Sequence, residues 1–372
     1  MPYLSVDRQQ LANDIDELKK KINTPSQEDF QHLLKVERWG RLCALVGYLT
    51  AWIIPFNPLS ALLISTANMT RWANVTHPVL HGAYDKVPNI PKRYTSKGYA
   101  KGCRRLFDWL DWIHPEAWDV EHNNLHHYRL GEDEDPDLIE RNMKWLRESK
   151  IPMAIRYLLV ISFTTIWKVV YYAPTTLRIL RNIKRKKAGL PESHKTARNP
   201  FTKDGAALWL NCYLPYVLFR FVLAPMLFLP FGTDIAMNVL LTSILAEAFT
   251  NIHSFIMIVP NHSAEDIYRF DHPATSKGEF YLRQIIGSVN YTSGSDLVDF
   301  SHGWLNYQIE HHLFPALPLR QYQQISPDIK LICDKHHIPY LQENVFKRVR
   351  MSADLMVGKT NLRVAGAAPT LS

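Results

Sequence analysis

The 372-residue sequence is 47% hydrophobic and 12% aromatic, which excludes a disordered or low-complexity chain. A net charge of +8 and a mean hydropathy of -0.18 do not separate a soluble from a membrane protein, because long charged stretches are averaged with a few apolar ones. The basic run from Arg181 to Lys187 comes with no nucleic-acid motif, so nucleic acid is excluded as a partner, and the run reads equally as a solvated loop or as a contact with an anionic leaflet.

In chain order, the first thirty residues are highly charged and lack the apolar core of a secretory signal, which places the N-terminus in the cytoplasm. Leu11, Ile15, Leu18 and Ile22 recur at helical spacing, predicting an amphipathic packing helix within residues 1–34. Apolar runs from Leu42 to Ile54 and from Leu59 to Ala67, split by Pro55-Phe56-Asn57-Pro58, predict a helical hairpin. Each arm must borrow flanking residues such as Trp39 or Trp72 to reach the roughly 20 residues that span a bilayer. From Ile151 to Ala173 only 11 residues separate Arg156 from Lys168, which predicts an interfacial helix and not a span.

A second hairpin, Ala206–Phe231 and Ile235–Val259 around Gly232-Thr233-Asp234, is long enough to cross. Both hairpin tips lack Lys and Arg, whereas residues 71–150, 178–203 and everything after 262 are rich in them, so the tips are expected outside and the polar segments in the cytoplasm. Cys43, Cys103, Cys212 and Cys333 show no CxxC spacing and are expected to be reduced thiols. Residues 365–372 predict a loose tail. The expected fold is all-α and integral to the membrane: four transmembrane helices in two hairpins plus a cytoplasmic helical cap, one domain over residues 1–372.

Three histidine groups fall on one side of that membrane: His77-Pro-Val-Leu-His81, His122-Asn-Asn-Leu-His126-His127 and Gln308-Ile-Glu-His311-His312. On a helix, residues four apart lie about 5–6 Å from one another in Cβ. His77 with His81, or His122 with His126, can therefore reach one ion or two neighbouring ions. Adjacent His126 and His127 diverge by about 100°, which suits two metals better than one. Neutral imidazole serves Zn, Cu, Fe and Ni alike, so ligand type does not choose the metal. One such pair is more often coincidence than chemistry; three groups at a shared depth are not, while His336-His337 reads as surface. Glu247, Asn251 and Ser254 step along one stripe of the last span towards His262, which reads as a ligand. Glu247 and Asn251 read equally as interhelical hydrogen-bonding groups or as site residues. His253 lies on the other face.

These residues resemble the membrane fatty acid desaturase family, whose signature is three histidine boxes of the forms HxxxH, HxxxHH or HxxHH, and HxxHH or QxxHH. The resemblance runs from His77 to Tyr340. Its most specific part is the third box, Asn306–Pro315, similar to the front-end and sphingolipid branch in which Gln begins the box; Pro318–Tyr322, Lys335–Tyr340 and Asp135-Pro136-Asp137 are similar too. The resemblance implies a four-span helical fold, two Fe ions held mainly by histidines, and O2-dependent insertion of a double bond into a long acyl chain. The ligands it implies are His77, His81, His122, His126, His127, His311 and His312, with His262 at the end of the last span and Gln308 at a position that is His in other branches. Two departures stand out: Pro78 and Leu80 replace the Asp and Gly of the common HDxGH box, and no HPGG motif of a fused cytochrome b5 domain occurs.

An unactivated methylene has neither an acidic proton nor an electrophilic carbon, so its removal needs a metal-oxygen oxidant. With no haem, flavin or iron-sulfur motif in the sequence, the electrons are expected from a separate ferredoxin or cytochrome b5 and its reductase, and the substrate as an acyl lipid or acyl thioester. Glu310, Asp135 and Asp137 read as acceptors that orient ring N–H groups, or as a surface carboxylate and a turn around Pro136. A hydroxylase would use the same ligand set. A non-enzymatic zinc-binding membrane protein is the alternative from another class, but a structural zinc site takes about four ligands, half of what these motifs present.

Overall fold

The structure, a computed structural model, describes residues 5–193 and 198–365; the predicted tail lies outside the described residues apart from Ala365. Helix α1 (Arg8–Lys21) starts at Asp7, whose carboxylate accepts from the Gln10 N–H, and buries Leu11, Ala12, Ile15 and Leu18, the packing face read from the sequence. Helix α2 (Gln27–Thr50) starts at a reciprocal Ser26/Asp29 capping box, and α3 (Pro58–Met69) at Asn57. They form the expected first hairpin. Gly40 and Gly47 permit its close packing, since a Cβ at these positions would stand 2.6 Å from Thr70 Cγ2 and 2.8 Å from Ile64 Cγ1. Outward, α2 and α3 present Leu42, Leu45, Leu49, Leu59 and Leu62.

The chain continues through α4 (Pro115–Glu121), α5 (Met153–Thr164), α6 (Ala173–Lys187), α7 (Lys203–Phe231) and α8 (Thr233–Ile258). After these come α9 (Lys277–Ile286), α10 (Gln308–Leu313), α11 (Leu319–Lys335) and α12 (Val345–Met356). Two parallel pairs of two-residue strands, Tyr268–Arg269 with Arg363–Val364 and Asn290–Tyr291 with Gln342–Glu343, tie the C-terminal segments together. Helix α1 is strapped across this half: Asp16 holds Lys277 of α9 at 2.6 Å, and Asp14 holds Lys335 of α11 at 2.6 Å and His336 at 2.7 Å.

Helix α7 and the segment Thr233–His262 are long and apolar enough to cross a membrane. The first hairpin is less simple than expected: α2 is apolar only from Leu42, and α3 runs through a wide turn at Thr70–Thr76 directly into the first histidine box. Residues 151–173 make no straight span, because α5 and the helical segment Lys168–Lys187 meet at 84°. At that bend Lys168 is buried, with Nζ 2.6 Å from Asp111 Oδ2 and 4.6 Å over the Trp72 ring. The Lys168 N–H and the Trp167 indole donate to the side chain and carbonyl of Asn251. Glu247 accepts from Trp112 and from Asn251, each at 2.7 Å, and from Tyr216, so these two residues of α8 join helices and lie outside the histidine groups.

Four wide, π-type turns share a sequence cause. Thr70–Thr76, Lys168–Tyr172, Trp209–Tyr213 and Leu218–Leu223 each end two residues before a proline: Pro78, Pro174, Pro215 and Pro225. A helical proline offers no N–H and its ring collides with the carbonyl four residues back, and opening the turn by one residue relieves both. The fifth, His122–His126, has no such proline.

A buried ion pair is strongly destabilising when one partner is removed and close to neutral when both become apolar. Lys168→Met is therefore expected to cost roughly 3–5 kcal/mol, and the Lys168→Met/Asp111→Leu double variant to regain most of it. Thermal unfolding of the three proteins in detergent checks this; equal loss in single and double variants contradicts it.

Candidate metal centre

The first helix of the site ends at His77 and His81, and here the expected pairing at four-residue spacing holds: their ring centroids are 4.9 Å apart. The second group departs from it. The His122–His126 turn is wide, and the His127 N–H bonds to the His122 carbonyl, five residues back. His122 therefore meets His127, with Nε2 atoms 3.2 Å apart, while His126 turns elsewhere. In α10, adjacent His311 and His312 point to different places.

The result is two adjoining clusters. His77, His81, His122, His127 and His311 have potential ligand atoms all within 4.8 Å of one another, and so do His126, His262 and His312. Both His-His pairs are split between the two, as their angular divergence predicts. His127 and His312 stack across the junction with centroids 4.3 Å apart. The Gln308 amide lies 2.8 Å from His262 Nε2, beside the smaller cluster. His253 donates to the Ser301 carbonyl at 2.8 Å and His336 faces Asp14, so neither joins.

Outer partners fix the rings. His126 Nδ1 donates to Asp135 at 3.0 Å, His262 Nδ1 to the Gly287 carbonyl at 2.9 Å and His312 Nδ1 to Gln284 at 2.9 Å. His311 Nδ1 lies 3.1 Å from the Tyr322 hydroxyl, whose own proton is directed to the carbonyls of Phe314 and Pro315. With Nδ1 committed as donor, Nε2 keeps its lone pair. Nε2 of His81, His311 and His312 is buried with no hydrogen-bond partner, and Nε2 of His77 and His122 face each other at 3.0 Å. Unpartnered buried acceptors converging in this way fit cations between them.

Burial, with repulsion from neighbouring imidazolium charge, holds His81, His122, His127, His311 and His312 well below the ordinary histidine range, in the neutral form a ligand requires. His126 is the exception: burial alone would lower it, but the charge and hydrogen bond of Asp135 raise it. Asp137, 3.9 Å from His126, is pushed up to about 6 by burial. Asp135 thus touches a ring of the smaller cluster. The oxygens of Glu310 accept from Asn290 and Tyr340, because on α10 it points away from the rings, and burial pushes it up to about 6. Gln284 and Gly287 went unmarked in the sequence, lying outside any histidine motif; Tyr322 was visible only as part of a similar segment.

A narrow cavity of about 80 Å³ reaches the clusters at His77, His122, His126 and His262. Its other walls are mainly apolar and aromatic, including Trp72, Trp118, Phe163, Trp167 and Phe255.

The profile of the family described as Fatty acid desaturase matches residues 51–344. The chain is 26% identical over 294 residues to the NADPH-dependent stearoyl-CoA 9-desaturase of Mycobacterium tuberculosis (strain ATCC 25618 / H37Rv), covering 75% of this chain and 62% of the relative. It is 31% identical over 145 residues to Delta(5) fatty acid desaturase A of Dictyostelium discoideum, covering 37% of this chain and 30% of the relative. With the Delta(8)-fatty-acid desaturase of Borago officinalis the identity is 35% over 91 residues, 24% of this chain and 20% of the relative. The chain thus spans less than two thirds of the length of each of these relatives.

Loss of an outer partner of a ligating histidine typically weakens metal binding about 10–100-fold. Asp135→Asn is expected to do so, and Glu310→Gln, whose carboxylate touches no ring, to leave metal affinity unchanged. Metal titration of the purified variants checks the contrast.

Proposed function

The chain belongs to the fatty acid desaturase family, and from that premise we propose that it catalyses O2-dependent desaturation of a long acyl chain at a histidine-held di-iron centre. The observation that carries this reading is the pair of adjoining imidazole clusters opening onto an apolar cavity. His77, His81, His122, His127 and His311 would hold one ion, and His126, His262 and His312, with Gln308 beside them, the other. Iron bound there would supply the O2-derived oxidant that removal of hydrogen from an unactivated methylene requires.

The chain's own residues do the rest. The aromatic walls desolvate the acyl chain, each buried methylene contributing about 0.8 kcal/mol, and hold it beside His77 and His122. Asp135, Gln284, Tyr322 and the Gly287 carbonyl keep the rings in one tautomer and orientation. Reduction of O2 to two waters takes four electrons. Two come from the carbon-hydrogen bonds that become the alkene, and two from a separate carrier, a ferredoxin or cytochrome b5 served by its reductase. The substrate is an acyl lipid or acyl thioester.

The finer topology is part of the same reading: four spans in two hairpins, with the histidine side and both termini in the cytoplasm. Exposed leucines on α2 and α3, and the Lys- and Arg-free tips, support it. Cysteines introduced at the 55–58 tip are expected to react with an impermeant reagent added outside, and cysteines near 185 only after permeabilisation.

Changing His77, His122 or His311 to Ala is expected to lower bound iron and abolish product while the protein remains in the membrane. Lipid analysis of expressing cells, with iron measured on purified protein, is the test. Full activity in any one variant contradicts the assignment of that histidine, and a hydroxylated product in place of an alkene contradicts the reaction class.

A further inference from the structure

The histidine clusters have two unlike sides. The narrow apolar cavity touches them at His77, His122, His126 and His262, whereas an open vestibule of about 1170 Å³ reaches them at His81, His127 and His312. The two spaces have no lining residue in common. An acyl chain in the cavity cannot keep its head group in the vestibule without crossing the wall of imidazoles, so the vestibule serves something other than the chain being desaturated.

Its charge is one-sided. Lys19, Lys86, Lys97, Lys101 and Lys277 line it, against the single carboxylate of Asp119. Among the described residues only Lys277 of these five has a carboxylate within ion-pair distance, Asp16 at 2.6 Å. Four ammonium groups therefore surround an opening whose floor is imidazole, and they are not neutralised by their neighbours.

We propose that this vestibule is the docking surface of a small acidic electron-transfer protein, whose electrons enter the clusters through the His81 and His127 edges. The proposal rests on the desaturase reading, which requires two electrons from outside for each alkene. A one-electron carrier is oxidised at each encounter, so one double bond takes two visits, and the electrons leave with O2 and two protons as part of the water formed. Two visits per turnover call for an encounter that forms fast and dissociates fast. A ring of solvated lysines gives that, since opposite charge raises the association rate without the apolar anchors that slow release. Redox encounters of this kind are small and weak, and a vestibule has room for the edge of a carrier and not its whole body.

The test uses the iron-loaded full chain in detergent micelles, with two acidic probes: the soluble haem domain of cytochrome b5 and a [2Fe-2S] ferredoxin. Binding is followed by fluorescence anisotropy at low and high salt for wild type, for K86E/K97E/K101E, and for the control R185E/K186E/K187E on α6. The vestibule variant is expected to bind at least one probe about tenfold more weakly than wild type, the wild-type affinity to fall with salt, and the control to match wild type. The proposal is overturned if neither probe binds wild type, if both variants weaken binding equally, or if the vestibule variant loses affinity for coenzyme A and not for a carrier. Turnover with dithionite separates the two readings. A wild type that makes no alkene with dithionite or either carrier, yet binds a carrier through the vestibule lysines, faults the catalytic reading and keeps the docking surface. An active wild type with unchanged binding in the vestibule variant faults the docking surface alone.

Discussion

Neutral imidazoles packed side by side each carry one N–H and one lone pair, and a ring free to choose would turn its N–H towards its neighbour. In this protein the choice is removed from outside. Asp135, the Gly287 carbonyl, Gln284 and the Tyr322 hydroxyl each take the Nδ1 proton of one histidine. They come from three separate stretches: the turn after the second histidine group, α9 with the glycine that ends it, and α11. The C-terminal half of the chain is therefore the scaffold that sets the direction of three of the four lone pairs, and Asp135 sets the fourth. The short parallel strand pairs tie the segments of that scaffold to one another, and α1 straps α9 to α11.

Proline shapes the helix that delivers His77 and His81 and three helical segments that deliver no ring. Among the described residues four of the five wide turns end two residues ahead of a proline, so the widening is written locally. The turn that matters most to the chemistry, His122–His126, lacks that device. What holds it open is its surroundings: Trp118 stacked on His122 at 4.5 Å, Asp135 on His126 and the junction stack of His127 on His312. Such single wide turns are found disproportionately at functional sites.

This explains what could be read from the sequence. The second hairpin was legible because two mainly apolar runs, Ala206–Phe231 and Ile235–Val259, are each long enough to cross a bilayer, and the histidine groups because three spaced motifs are hard to obtain by chance. The split of His126 from His127 was legible from helical angle, whereas the like split of His311 from His312 is seen in the structure. The partnership of His122 with His127 was not legible, because a regular helix puts His122 with His126 and nothing in the local sequence announces the extra residue. Glu310 looked like an orienting carboxylate by adjacency to His311, but adjacency on a helix means divergence. Gln284 had no signal at all: it reaches His312 only because α9 folds back beside α10.

The buried ion pair at the bend has a consequence for biogenesis. Asp111 leaves the ribosome well before Lys168, and until the lysine arrives burial of its carboxylate would go uncompensated. Once Lys168 has been made, its ammonium is buried against that carboxylate and over the Trp72 ring. A single charge, placed in the middle of an otherwise apolar stretch and matched to one 57 residues earlier, thus pins the 84° bend between α5 and the segment Lys168–Lys187 to the Asp111 turn.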